Sequence, residues 1–204
     1  MLCLSVVVMG ESGQLRWAGT LAIITYVYWF VTVVVLPVLT SDEYDPVEQG
    51  ISALAIGRFG ALMDAAFFAF AIGSLALSFG LYRSVDAALA APLLLAVTSV
   101  LWFLLGVFHT GPGGTEPFIH GIVALTSFVL IMVVMFLFAR RFRGDARWRS
   151  FALPTLVWAI VAVGALFSIP LLGDGLFGVS ERVFVAVFVS WLLATAIRLR
   201  SLGR

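Results

Sequence analysis

Read from its start, the chain alternates long apolar runs with short polar breaks. Six runs stand out, over residues 17–39, 59–82, 87–108, 118–139, 150–172 and 182–197. A helix crossing a hydrocarbon layer about 30 Å thick needs about 20 residues, and five runs meet that length. Lipid offers backbone N–H and C=O groups no partners, so such runs must fold as helices. The pattern therefore predicts an all-α six-transmembrane-helix bundle. The sixth run is short, and Glu181 and Arg198 at its flanks are read as snorkelling ends.

The breaks are not alike. The most polar one reads TSDEYDPVEQG, residues 40–50, and holds Asp42, Glu43, Asp45 and Glu48. Asp45, Pro46 and Glu48 are spaced as an N-cap, a first helical proline and the acidic partner of a capping box. Val47, Ile51, Leu54 and Ala55 then recur at helical spacing. A short amphipathic helix over 46–56 is predicted on the surface, ended by Gly57, with Arg58 starting the second span.

Composition narrows the class. The chain is 62% hydrophobic and only 11% charged, which excludes an ordinary soluble domain. Six spans use nearly all 204 residues, so the organisation is a short tail over 1–16 and one membrane domain over 17–204. The opening run MLCLSVVV lacks a basic region before it and makes a poor signal peptide; Met9 is an alternative start. Cys3 is the single cysteine, so no internal disulfide and no thiol metal site are expected.

Charge sets the orientation. Every one of the 12 basic residues is arginine. Ten of them (Arg16, Arg83, Arg140, Arg141, Arg143, Arg147, Arg149, Arg198, Arg200 and Arg204) fall in segments on one side of the six predicted spans. Only Arg58 and Arg182 fall on the other, where seven of the 11 acids lie. The positive-inside bias predicts both termini in the cytoplasm of a cell whose inner (plasma) membrane holds the protein. The basic segment 140–149 serves this topology, with anionic lipid binding as the functional alternative. Membrane lipids are the expected partners, with a second copy of the chain or another membrane protein beside them; nothing points to nucleic acid.

Chemistry-bearing residues are few. Asp64 is the one acid inside a predicted span, roughly 7–8 Å along its helix from Phe59. An intramembrane carboxylate marks a functional site or an ion pair, and Arg182 is its expected partner. His109 closes the third span and His120 opens the fourth across a Gly- and Pro-rich loop. With Glu116 or Asp64 they form a candidate metal site, or a haem site, although the spacing matches no metal motif. Otherwise they are interfacial hydrogen-bonding rings. Gly73, Ser74, Ser78 and Gly80 read as close helix packing on the second span. No serine-hydrolase elbow and no phosphate loop is present.

Three stretches carry a family resemblance. Tyr44-Asp45-Pro46 precedes Ile51-Ser52-Ala53-Leu54; Gly106-Val107-Phe108 leads through Pro112 to His120-Gly121; and Gly175-Leu176-Phe177 precedes Glu181-Arg182-Val183. In this order the chain resembles the bacterial and archaeal membrane family called domain of unknown function 998. The resemblance implies a six-helix bundle with Tyr44, Asp45, Ser52, His120, Glu181 and Arg182 on one outer face. It carries no activity. The chain departs from the family pattern near Asp64, where an Asn-like residue is usual, and at His109-Thr110-Gly111-Pro112, where an acid is usual.

The expectation is thus an outer polar pocket that binds or processes a lipid or other amphiphile. The 46–56 helix would roof it and Asp64, His120, Glu181 and Arg182 would line it. Arg182 would hold an anionic head group, Tyr44, Asp45, Ser52 and Glu181 would bind beside it, and Asp64 or His120 would serve as acid or base. The alternatives are a metal- or haem-binding redox protein, with His109 and His120 as ligands, and a non-catalytic membrane assembly subunit.

Overall fold

The computed structural model describes residues 10–85, 89–111 and 116–204. These residues form six α-helices and no strand: α1 (Glu11–Leu39), α2 (Gly60–Ser84), α3 (Ala90–Leu105), α4 (Glu116–Gly144), α5 (Arg149–Leu172) and α6 (Phe177–Leu202). All except α3 are long and apolar enough to cross a membrane, whereas α3 has 16 residues. The apolar run before Met9, and Met9 itself, lie outside the described residues.

The helices are apolar on every side, so burial is not decided by hydropathy. Leu171 is 82% exposed and Val38 and Phe118 are each 73% exposed. Water would penalise such a surface, but lipid matches it, and the chain is a multi-pass membrane protein. What goes inside is set by shape. Ala18, Ala22, Ala66 and Ala196 let backbones approach, and Phe70, Trp102, Phe188, Phe184 and Trp191 fill the centre. A Cβ on Gly73 would overlap Thr25 Oγ1 on α1, and one on Gly80 would overlap the Leu199 side chain on α6. Beside them, the Ser74 and Tyr26 hydroxyls lie 3.0 Å apart and Ser78 donates to the Pro92 carbonyl at 2.6 Å. The packing role expected of these residues on the second span is what they perform.

Each helix packs against its neighbours in sequence, and α6 returns to pack on α1, so the six helices form a closed ring. One end of the bundle is rich in arginine. There Arg147, in the α4–α5 link, donates to the Ser84 carbonyl at 2.6 Å and meets Glu11 at 3.3 Å, while Arg198 donates to the Arg147 carbonyl at 2.5 Å. The opposite, acidic end carries residues 40–59 and the start of α6.

Residues 46–56 are not one amphipathic helix. A turn over 46–49 is followed by an extended Gly50 and a five-residue 3₁₀ segment, Ile51–Ala55. The cause is tertiary. Arg182 takes the carbonyls of Pro46 and Gln49, Val179 N–H takes that of Val47, and Glu181 takes the Ile51 N–H. An α-helix would need those groups for its own ladder. The cap at Asp45 does form: its Oδ1 accepts from Val47 N–H at 2.8 Å. The return bond to the Asp45 N–H comes from Gln49 Oε1 rather than from Glu48.

Helix ends also move. Helix α6 is ten residues longer than its predicted span, five at each end; at its start Glu181 and Arg182 are held by the 44–51 loop. Helix α4 continues through Arg140, Arg141 and Arg143, whose long stems extend past the apolar stretch. Helix α3 stops at Leu105, where Gly106 and Val107 turn back onto Phe103 and Leu104.

Candidate functional site

The site is built at the acidic end by three elements that meet the loop 49–53. Helix α4 brings His120, Ala124 and Phe128, spaced four residues apart on one face. The end of α5 brings Leu166 and Ile169, and the first turns of α6 bring Phe177 and Glu181. Between them is a crevice of about 750 Å³. Leu125, Val129 and Phe167 at its rim are exposed, so it borders lipid. A void of about 40 Å³ continues inward from it and shares Ser52, His120, Ala124, Phe128 and Glu181.

The polar groups gather at one end. Glu181 is buried, and its Oε2 accepts from Ile51 N–H at 2.7 Å. His120 is buried, and its Nδ1 lies 2.6 Å from the Phe108 carbonyl oxygen. A carbonyl only accepts, so Nδ1 carries the proton and Nε2 of the neutral ring keeps its lone pair. Ser52, Gln49 and Thr110 complete this end. The crevice therefore has a carboxyl group, an imidazole, two hydroxyls and an amide above a long apolar wall.

Arg182 does not line it. Adjacent residues on a helix point about 100° apart, so Glu181 and Arg182 face different neighbours. Arg182 Nη1 donates to Pro46, Gln49 and Gly178 carbonyls at 2.8, 2.9 and 2.8 Å. Its Nη2 donates to the Tyr44 hydroxyl, and the guanidinium lies 5.5 Å from the Tyr44 ring centre. Tyr44 is buried and donates toward the carbonyl oxygens of Gln49 and Gly50, 3.0 and 2.9 Å away. Burial pushes its phenol above the ordinary tyrosine value, against the pull of Arg182. A Cβ on Gly178 would strike the carbonyls of Gln49, Pro46 and Val47, so glycine is what lets this loop seat on α6.

Asp64 is also elsewhere. The expected Asp64–Arg182 pair is absent; Asp64 Oδ1 instead meets His109 Nε2 at 2.9 Å. Arg182 is occupied by the loop carbonyls, and the chain after α3 returns His109 over the first turns of α2. The two histidines thus have different partners, one a carboxylate and the other a backbone carbonyl. Among the described residues no three His, Cys, Asp or Glu side chains gather at metal-binding distance. Asp45 is exposed and spends its carboxylate on the turn. Of the residues expected in one pocket, Ser52, His120 and Glu181 come together; Tyr44, Asp45, Asp64 and Arg182 do not line it.

Reading the sequence missed the wall. The four-residue spacing below His120 was visible, but nothing marked α5 as the opposing surface.

The family described as "Protein of unknown function (DUF998)" matches residues 23–198, which is most of the chain. No curated protein and no solved structure matches it.

Proposed function

We propose, from the premise that the chain belongs to the DUF998 family, that it is a six-span plasma-membrane protein binding a neutral, hydroxyl-headed amphiphile between α4, α5 and α6. In this reading both termini lie on the arginine-rich cytoplasmic side. Helix α3 counts as the sixth span: at about 1.5 Å per residue it is short, but it sits between α2 and α4 with Leu93, Val97 and Val100 exposed.

The observation that carries the reading is the makeup of the crevice's polar end. Glu181, His120 and Ser52 are there, and no arginine is. An anionic head would meet the Glu181 carboxyl, while the nearest cation, Arg182, faces away and spends donors on the 44–50 loop and Gly178. A hydroxyl can donate to the carboxylate or to His120 Nε2 and accept from Ser52. Along α4 from Pro117 to Val129 the wall runs about 18 Å, enough for a chain spanning about half the hydrocarbon layer. If the ligand is processed, His120 Nε2 is the atom placed to take the hydroxyl proton.

A photoreactive long-chain alcohol tests this. It should label α4 and α5 of the purified protein, and Ala124→Trp should abolish the labelling by filling the crevice. Labelling that ignores Ala124→Trp, or that a fatty acid outcompetes better than an alcohol, refutes the proposal.

A further inference from the structure

A second crevice, of about 580 Å³, runs between α1 and α6 on the other side from the first. Val27, Phe30, Val34, Val185 and Val189 wall it, and Pro37 and Arg182 stand at its acidic end. From Pro37 to Tyr26 it extends about 16 Å along α1, again about half a hydrocarbon layer.

The charges at its mouth are unbalanced in a particular way. Arg182 has five N–H donors. The two on Nη1 are shared among three carbonyls, and one on Nη2 goes to Tyr44. That leaves Nε–H and one Nη2–H. Nε of Arg182 is not sealed in the interior without a partner, as Nε of Arg198 is. Its hydrogen-bond partners are all neutral, and among the described residues it makes no ion pair; the buried Glu181 beside it feels its charge but faces the other crevice. Just beyond, an open basin is lined by Asp42, Glu43, Asp45 and Glu48, and it shares Pro37 with the crevice. Asp42 meets Arg58 at 3.5 Å, while Glu43, Asp45 and Glu48 meet no cation among the described residues.

We propose that this crevice holds one zwitterionic phospholipid, its phosphate on Arg182, its ammonium over the Asp42–Glu48 basin and an acyl chain along α1 and α6. The order apolar groove, single cation, acidic basin is the order of such a lipid read from tail to head. An anionic head group satisfies Arg182 but meets the carboxylates; a cationic amphiphile satisfies the carboxylates but meets Arg182. Only a head with both charges in that order suits both. This site is separate from the hydroxyl-binding crevice and does not depend on it.

The test is retention from an equimolar mixture of phosphatidylethanolamine and phosphatidylglycerol with identical acyl chains, read by native mass spectrometry on the intact protein. Wild type should keep a single phosphatidylethanolamine in preference. Arg182→Gln should lower retention by about tenfold, the scale of one lost charge-assisted contact. Since Arg182 also holds the 44–50 loop, two variants that leave it intact accompany it. Ala186→Trp fills the groove and should remove the lipid; Glu43→Gln with Glu48→Gln should shift the preference toward phosphatidylglycerol. Equal retention of the two lipids by wild type, or full phosphatidylethanolamine retention in Ala186→Trp, overturns the proposal. Neither result bears on alcohol labelling at α4 and α5.

Discussion

Glu181 offers the sharpest test of how the site is held. Its Oε2 is the acceptor for Ile51 N–H at 2.7 Å, and the residue is only 8% exposed. Glu181→Ala strands that N–H in the interior. A buried donor left unpaired costs about 1–3 kcal/mol. The loop cannot swing away to find water, because Arg182 still grips Pro46 and Gln49 and Val179 still grips Val47. For a chain of this size that loss corresponds to roughly 2–12 °C in melting temperature. Glu181→Gln keeps an acceptor oxygen and removes the cost of burying a charge, so it should melt no lower than wild type. Thermal unfolding in one detergent, followed by tryptophan fluorescence, compares the three proteins. If Glu181→Ala melts with wild type, the Ile51 N–H does not depend on this carboxylate. If Glu181→Gln falls as far as Glu181→Ala, charge and not hydrogen bonding holds the loop.

Two further outcomes are expected. Gly73→Ala should destabilise by about 1–2 kcal/mol, overpacking against Thr25 outweighing the gain in helix propensity; Thr25→Ala should restore most of it, since Thr25 Oγ1 bonds only its own helix at Leu21 and Ala22. Additive effects in the double variant would show that the two residues do not touch. Tyr44→Phe should cost about 1 kcal/mol at neutral pH. A phenol raised above 10.0 in the folded state stabilises fully below that pH and loses its contribution as pH rises through the folded value. The gap between wild type and Tyr44→Phe should therefore narrow in alkali, and a widening gap contradicts the burial described.

Much of the helical layout was legible because hydropathy acts along the chain. Runs of apolar residues must be helices in lipid whatever they pack against, so each of the six appears within a few residues at most ends. The 46–56 segment was not legible, because its local signals were sound and its partners were remote: Glu181 and Arg182 lie 130 and 136 positions from Ile51 and Pro46 and take the groups that would propagate a helix. The same limit misplaced Arg182. On the line of sequence it adjoins Glu181, but the helical turn sends the two to different crevices. Asp64 was marked as the one acid within a predicted span, but its partner depended on where the chain after α3 comes back, which no periodicity records.

The closed ring has a consequence for how the protein is made. Helix α1 leaves the ribosome first, and the α6 face it packs against emerges last. At about 5–20 residues per second the wait between them is roughly 10–30 seconds. During that time Gly19, whose backbone will pack on Ala196 and Arg200, looks onto lipid or onto whatever chaperone or insertase stands beside it. Pairing of α1 with α2 can proceed at once, but the seam between α1 and α6 waits. A nascent chain halted before α6 would carry an open edge, and membrane quality control would have that edge to recognise.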